Sequence, residues 1–486
     1  MATKTFIFTL VFFCSCNLHA QSDFVFRYST PNDEIPTSII ETPDHGYIIS
    51  AGIGTNGTEY QTLFIRLDKN GDTLFTKKII CQEGNSGIGK LLKLENSTYI
   101  GIGVKTTSTG KQKLWLLNFS ESLTILKDTS YYFNIVDVSN CYGFFDHFSN
   151  LIVFGHGSIN STSAPHPFVF RVSQNLDSLQ YEFFNASTTQ LVYSMIEKPD
   201  TSGYLMMITG HYLLNTNSSS QMLTIDYSLN VTHTDSIPGQ LALYLDAKFL
   251  NTNELLITGK RTYQNSNPRT DKLGILKLDS AYQIENDYYL GPVDTISYPG
   301  YYSNLDFVDT NKIFFAGTTN QSLYSSFPTN PSYILVGRFD ASLQLTWQNN
   351  YGGDQYYGVC CVAAVSDGGL IIGATSFNYL YQNHERDVYI LKVDSNGLIT
   401  SQNNLETPTD NKVFIYPNPG NNIINIETQS KNLFFCLFDL MGRKIIHQFI
   451  DPKQKVVHTG SLPKGIYVYQ VIENGSLIGY GKWIKK

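Results

Sequence analysis

Arg66-Leu-Asp-Lys-Asn-Gly-Asp-Thr-Leu-Phe75 can be read as a metal site or as a turn. Asp68, Asn70 and Asp72 have the alternate spacing with which a calcium-binding loop begins. Such a loop also needs Gly at its sixth position and Glu at its twelfth. Here those positions hold Thr73 and Ile79. The Asn70-Gly71 pair instead suits a tight hairpin turn with positive φ. It follows the strand-like run Leu63-Phe-Ile-Arg-Leu67.

The surroundings of this stretch recur. Upstream, Gly46-Tyr-Ile-Ile-Ser-Ala-Gly52 is an apolar run ending in Gly. The order apolar run, Gly, polar segment, strand, turn returns in Asp271-Lys-Leu-Gly-Ile-Leu-Lys-Leu-Asp279 and in Asp387-Val-Tyr-Ile-Leu-Lys-Val-Asp394-Ser-Asn-Gly397. Weaker copies stand at Ser120, Ser173, Asp226 and Asp340. The seven turn positions 68, 120, 173, 226, 279, 340 and 394 are spaced by 52, 53, 53, 53, 61 and 54 residues. Gly52, Gly103, Gly155, Gly210, Gly259, Gly317 and Gly373 keep the same rhythm, each preceded by a further apolar stretch. Each unit therefore reads as about four short strands, and a period near 50 with four strands signals a β-propeller. One such sheet cannot bury both faces, whereas sheets stacked radially cover one another. The expected body is an all-β, seven-bladed β-propeller over 21–402. Phe24-Val-Phe-Arg-Tyr28 is the candidate strand that completes the last blade and removes its open edge. A β-solenoid or two stacked sandwiches is the alternative, and the long period disfavours the solenoid.

The two clearest copies are Asp44-His-Gly-Tyr-Ile-Ile49 with Ile65-Arg-Leu-Asp-Lys-Asn-Gly71, and Ser366-Asp-Gly-Gly-Leu-Ile-Ile372 with Leu391-Lys-Val-Asp-Ser-Asn-Gly397. They resemble the repeats of bacterial secreted β-propellers. That resemblance implies a fold and not a function, because such propellers serve many roles.

Composition agrees with many short strands: charged residues are 15%, aromatic residues 13%, and Gly numbers 37 in 486 residues. Residues 1–20 differ from the rest. Lys4, the apolar run Phe6–Phe13 and Leu18-His19-Ala20 before Gln21 have the pattern of a secretory signal peptide. A lipoprotein reading with Cys16 lipidated competes, but Phe13-Cys14-Ser15 makes a poor lipobox. No other run has the roughly 20 apolar residues of a membrane helix, so no transmembrane segment is expected. Residues 21–412 carry 24 basic and 37 acidic side chains, and 413–486 carry nine and four. An acidic body argues against nucleic acid as a partner.

After Ser401–Lys412, with 403–412 read as a linker, the period stops. Residues 413–486 alternate apolar strands with Pro, Asn and Gly turns, which predicts a small β-sandwich. Tyr416-Pro-Asn-Pro419, Asp439-Leu-Met-Gly442, Leu462-Pro-Lys-Gly-Ile-Tyr467 and Lys482-Trp-Ile-Lys485 stand there in order. This tail resembles the C-terminal sorting domain of the type IX secretion system of Gram-negative bacteria. The resemblance implies Tyr416, Pro417, Asn418, Pro419, Gly442, Gly465 and Lys482 as sorting-motif residues and the type IX machinery as partner. It also implies a secreted or outer-membrane-surface location. Asp72, Asp177, Asp235, Asp279 and Asp294 each open an Asp-Ser/Thr-apolar triplet resembling an O-glycosylation signal of bacteria that use this route.

The remaining motifs are weak. Gly52-Ile-Gly-Thr-Asn-Gly57 spells a dinucleotide fingerprint, and Gly84-Asn-Ser-Gly-Ile-Gly-Lys-Leu91 nearly spells a P-loop. Neither is followed by a helix whose N-terminus could hold phosphate. No Cys-x-x-Cys pair or His-Glu-x-x-His occurs, and the loop histidines His156, His166 and His384 are scattered. No cofactor and no metal site is expected. Cys360 and Cys361 are adjacent on a strand and point to opposite faces, while Cys81 is a candidate disulfide partner for either. The inner strands carry Glu41, Lys93, Glu197, Lys248 and Asp306, the candidate ligand-binding residues at a channel mouth. Asp246 or Asp306 could belong to a carboxylate pair for glycoside hydrolysis. The function that best fits is an exported, non-catalytic propeller binding glycan or protein. A polysaccharide hydrolase or lyase acting at the channel mouth is one alternative. A structural surface protein without a discrete ligand is the other.

Overall fold

The computed structural model describes residues 23–399 and 413–486, apart from short loop segments within them. The expected signal peptide and the 403–412 linker lie outside the described residues, as do Gly442 and His384. The chain divides into two compact units, residues 1–401 and 402–486.

The described residues of the first unit form seven antiparallel sheets and no helix. Sheet one runs Asp33–Glu41, Tyr47–Thr55, Glu59–Leu67, Thr73–Ile79, each strand hairpinned to the next. Sheets two to five repeat this order, beginning at Ser86, Asp137, Gln190 and Leu243. In sheet six the first strand is split into Ser297–Pro299 and Leu305–Asp306. Sheet seven has three strands from its own repeat, starting at Tyr356. Its fourth is Val25–Tyr28, paired antiparallel with Asp387–Val393 through Val25↔Leu391 and Tyr28↔Val388. The first strand of each sheet packs on that of the next, and the last returns to the first. A ring is the result, with those first strands innermost.

The core is a set of wedges between consecutive sheets. Ile100, Ile102 and Leu116 of sheet two, for example, pack with Leu151, Val153 and Phe170 of sheet three. Phe24, Ile49 and Ile65 pack with Ile371 and Ile390 across the closure. Burying an aliphatic side chain contributes about 1.5–3 kcal/mol, and only neighbouring sheets together exclude water from these residues. That is why the repeat needs its siblings.

The Asp68–Asp72 turn recurs as geometry. Asp68 Oδ1 accepts hydrogen bonds from Asn70 N at 2.8 Å and Asp72 N at 2.9 Å. Asp226, Asp279, Asp340 and Asp394 cap their own turns in the same way. The first Asp is thus a backbone acceptor. Positive φ falls on Gly71 alone of the Asn-Gly pair, so the connection is longer than a two-residue hairpin. The equivalent left-handed position holds Leu123, Leu176, Leu229, Tyr282, Leu343 and Gly397. Four of these leucines are buried against the neighbouring sheet. Donors on the preceding sheet then hold the turn: Arg171 reaches Tyr227 O at 2.7 Å, Asn286 reaches Ser342 O at 2.9 Å, and Arg338 reaches Ser395 O at 2.6 Å.

The second unit packs a three-stranded sheet, with Val413–Tyr416, Ile423–Thr428 and Val456–His458, and a four-stranded one. The latter has the order Lys444–Ile450, Leu433–Phe438, Gly465–Glu473, Ser476–Lys485. Ile424, Phe435, Val457, Val471 and Trp483 fill the space between. Pro417 O accepts from Trp483 Nε1 at 2.9 Å, and Asn418 bonds Lys482 O at 2.6 Å and Ile484 N at 3.0 Å. The Tyr416–Pro419 loop and the final strand therefore meet, though 64 to 66 residues separate their bonded residues. Gly465 pairs with Lys485 at the same end of that strand.

Candidate functional site

The innermost strands carry a repeated irregularity. Register slips by one residue between Pro36 and Ser38, Ile88 and Lys90, Ser139 and Cys141, Val192 and Ser194, Tyr244 and Asp246, and Val359 and Cys361. A bulge of this kind adds one residue and re-aims the side chains around it. The facing strand comes close at the bulge: a Cβ on Gly103 would lie 1.9 Å from Gly87 O, and one on Gly259 1.8 Å from Leu243 O. In sheet six an excursion over residues 300–304 takes the place of the bulge. Tyr302 N and Ser303 Oγ bond Cys360 O and Val362 O of sheet seven. This excursion carries Tyr302 into the middle of the ring, where it lines three cavities.

On one side of Tyr302 is a cavity of about 340 Å³ lined by Lys90, Tyr142, Glu197, Asp246, Lys248 and Asp306 among others. Lys248 and Asp306 form an ion pair. The Lys248 side chain is 38% exposed, but that surface faces the lumen, with protein all around it. Burial works against its ammonium, yet Asp306 and Asp246 outweigh burial and hold its pKa above the ordinary value. Burial, helped by Lys248, lowers that of Lys90. Burial raises Asp246, against Lys248, Lys90 and the amides of Asn304 and Leu305. Burial also pushes the Tyr142 and Tyr302 phenols up.

On the other side, near the start of the inner strands, a second cavity of about 340 Å³ is lined by Tyr298, Tyr301, Tyr356, Phe377 and Arg386. Tyr298 and Tyr301 stack with centroids 5.8 Å apart and planes 20° apart, and Tyr301 is 49% exposed. Arg386 is held by Asp33, with Nε to Oδ1 at 2.7 Å. A third cavity, of about 450 Å³, lies beside it against Thr37, Tyr60 and Val138.

The five candidate residues fall into two groups. Lys248↔Leu256 sits one pair in from its ladder's end, Asp306 pairs with Phe314, the second residue of Ile313–Thr319, and both side chains line the charged cavity. Glu41↔Tyr47, Lys93↔Tyr99 and Glu197↔Tyr204 are the end pairs themselves. One residue of offset turns a strand side chain to the opposite face. Glu41 accepts from Ser366 N at 2.8 Å and Ser366 Oγ at 2.6 Å on sheet seven. Glu197 accepts from His147 N at 2.9 Å and Tyr227 Oη at 2.8 Å while still reaching the cavity rim. Lys93 is exposed and outside that lining. Sequence reading passed over Lys90, Tyr142 and Tyr302. The irregular 61-residue spacing between 279 and 340 was the one signal that sheet six differs.

The five described cysteines are free. Cys81 follows an outermost strand and Cys360–Cys361 lie on an innermost one, so the width of a sheet separates them and the expected pairing does not form. The dinucleotide-like and P-loop-like stretches are flanked by or lie in strands. Thr73, Ser178, Ser236 and Ser280 of the Asp-Ser/Thr triplets are exposed.

Residues 414–486 match the secretion system C-terminal sorting domain family. No curated protein matches the chain. Among solved structures the chain is similar to PorZ, a bacterial surface component of the type-IX secretion system of Porphyromonas gingivalis. The identity is 10%, over 93% of this chain and 51% of that one, with a TM-score of 0.32. This chain thus spans about half the length of PorZ. It is also similar to the β-propeller domain of the Trilobed protease from Pyrococcus furiosus, at 7% identity over 76% and 98% of the two chains, TM-score 0.43. A PL25 ulvan lyase is similar at 9% identity over 76% and 96%, TM-score 0.47. The chain ends in a C-terminal sorting domain of the type IX secretion system, which directs its propeller body to the cell surface or out of the cell.

Proposed function

We propose that the propeller is a non-catalytic binding module for glycans, delivered outside the cell by its sorting domain after export through the N-terminal signal peptide. The observation that carries this reading is the stacked Tyr298–Tyr301 pair, with Tyr301 half exposed, at a cavity also lined by Tyr356 and Phe377. Tyr offers a large amphipathic surface at low entropic cost, which suits the apolar face of a sugar ring. The charged side of the channel supports binding less well at Asp306, whose oxygens are taken up by Lys248 and by Ala364 N at 2.9 Å. The test is a glycan and matrix-protein screen of the purified full chain. We expect a glycan ligand whose binding falls at least about tenfold in Tyr301→Ala, the loss of one stacking contact. Absence of any glycan ligand, or binding indifferent to that substitution, would sink the proposal.

A polysaccharide hydrolase or lyase is the second reading. It is favoured by Lys90 and Asp246, whose charged forms burial disfavours within one cavity. Turnover of a polysaccharide panel that disappears in Asp246→Asn would establish it over the first.

A further inference from the structure

Hydrogen-bond accounting in the charged cavity leaves donors over. Asp246 accepts from Ala247 N at 2.9 Å, Asn304 N at 3.3 Å and Leu305 N at 3.4 Å. Asp306 accepts from Lys248, Phe307 N and Ala364 N. Glu197 accepts from His147 and Tyr227. Every carboxylate lining the space is thus engaged. Two donors are not. The Lys90 ammonium has no hydrogen bond or ion pair among the described residues. The Tyr142 hydroxyl, on a side chain only 6% exposed, has no partner either. Both groups line the same cavity.

A buried donor without an acceptor forfeits the full desolvation cost of the group. The buried Tyr142 hydroxyl, with the half-buried Lys90 ammonium in the same cavity, points to an occupant that brings acceptors. Lys90 makes it an anion. With two lysines and the acidic side chains around them, the lining tolerates one added negative charge better than two, which favours a carboxylate over a phosphate. About 340 Å³ is room for a molecule of one ring, and Leu92, Met195 and Val362 give its carbon skeleton an apolar wall. We propose that this cavity binds a one-ring organic carboxylate of the hexuronate class, with Lys90 and Tyr142 donating to the carboxylate. The site lies across Tyr302 from the aromatic mouth and does not depend on the glycan reading given to that mouth.

Calorimetric titration of the purified full chain tests it with D-galacturonate against D-galactose, which carries a hydroxymethyl in place of the carboxylate. Saturable galacturonate binding is expected, with galactose at least about tenfold weaker, in keeping with a hydrogen bond to a charged group. Lys90→Gln should weaken galacturonate by about tenfold or more and Tyr142→Phe by several-fold. Tyr142→Phe removes only an unbonded hydroxyl, so its unfolding midpoint without ligand should equal or exceed that of the parent, which keeps the test open if Lys90→Gln folds poorly. An oligogalacturonate arm separates the sources: tighter binding than the monomer assigns a chain end, equal or weaker binding a free sugar acid. No saturable galacturonate binding, equal affinity for galactose, or undiminished binding in Tyr142→Phe would overturn the proposal.

Discussion

Glu34 stands fully buried beside the closure of the ring. Burial pushes its carboxyl up to about 7, against hydrogen bonds from the Thr30 hydroxyl and amide, and Asp387 and Asp33 push it the same way as burial. The folded state therefore holds the proton more tightly than the unfolded chain, whose value is near 4.5. Stability from this site is fully present below about 4.5 and is lost as pH rises through about 7. Glu34→Gln, which keeps the shape and cannot ionise, is expected to flatten that decline. Urea midpoints at pH 5 and pH 8 measure it, and an unchanged difference between the two pH values in the variant would refute the assignment. None of this was visible in the sequence, where Glu34 is one acidic residue among many. Glu41, Lys93 and Glu197 had looked equivalent to Lys248 and Asp306, but an offset of one residue separates them. A strand's period of two makes that offset decisive, and a bulge hidden in each inner strand sets the register.

The outer hairpin turn is the element that joins the sheets. Its left-handed position costs a non-glycine residue roughly 1–2 kcal/mol, yet Leu123, Leu176, Leu229 and Leu343 occupy it because burying the side chain outweighs that strain. At Gly71 the same space is filled by Phe24, whose ring a Cβ there would meet at 2.4 Å. Leu343→Ala should keep the strain and lose the packing, lowering stability by about 2–4 kcal/mol. Leu343→Gly should be no worse than the alanine variant, because the strain is relieved. Urea denaturation of both decides it; an alanine variant as stable as the parent would show that the turn is not a plug. The turn's spacing was legible in the sequence because an Asp or Ser side chain that accepts the turn's own amides opens each copy. Its role as a clamp was not, since the partners of each turn lie on another sheet some 50 residues away.

At the scale of the whole molecule, two units have separate tasks. Removing 413–486 leaves the first unit with its own seven sheets and closing strand, so the truncated protein is expected to fold and to accumulate in the periplasm. Fractionation and surface labelling of cells making it provide the measurement. Surface display at the parental level would contradict the sorting role of the tail. The sequence by itself determined the all-β period, the closing strand, the break before 413 and the sorting tail, because each rests on local chemistry: alternation, turn residues and ordered short motifs. Only the tertiary structure decided what occupies the channel. Tyr302 enters it through an irregular excursion, and Lys90 and Tyr142 converge from different sheets. Such convergence depends on register and ring closure, which are sums over distant pairings that no local stretch records.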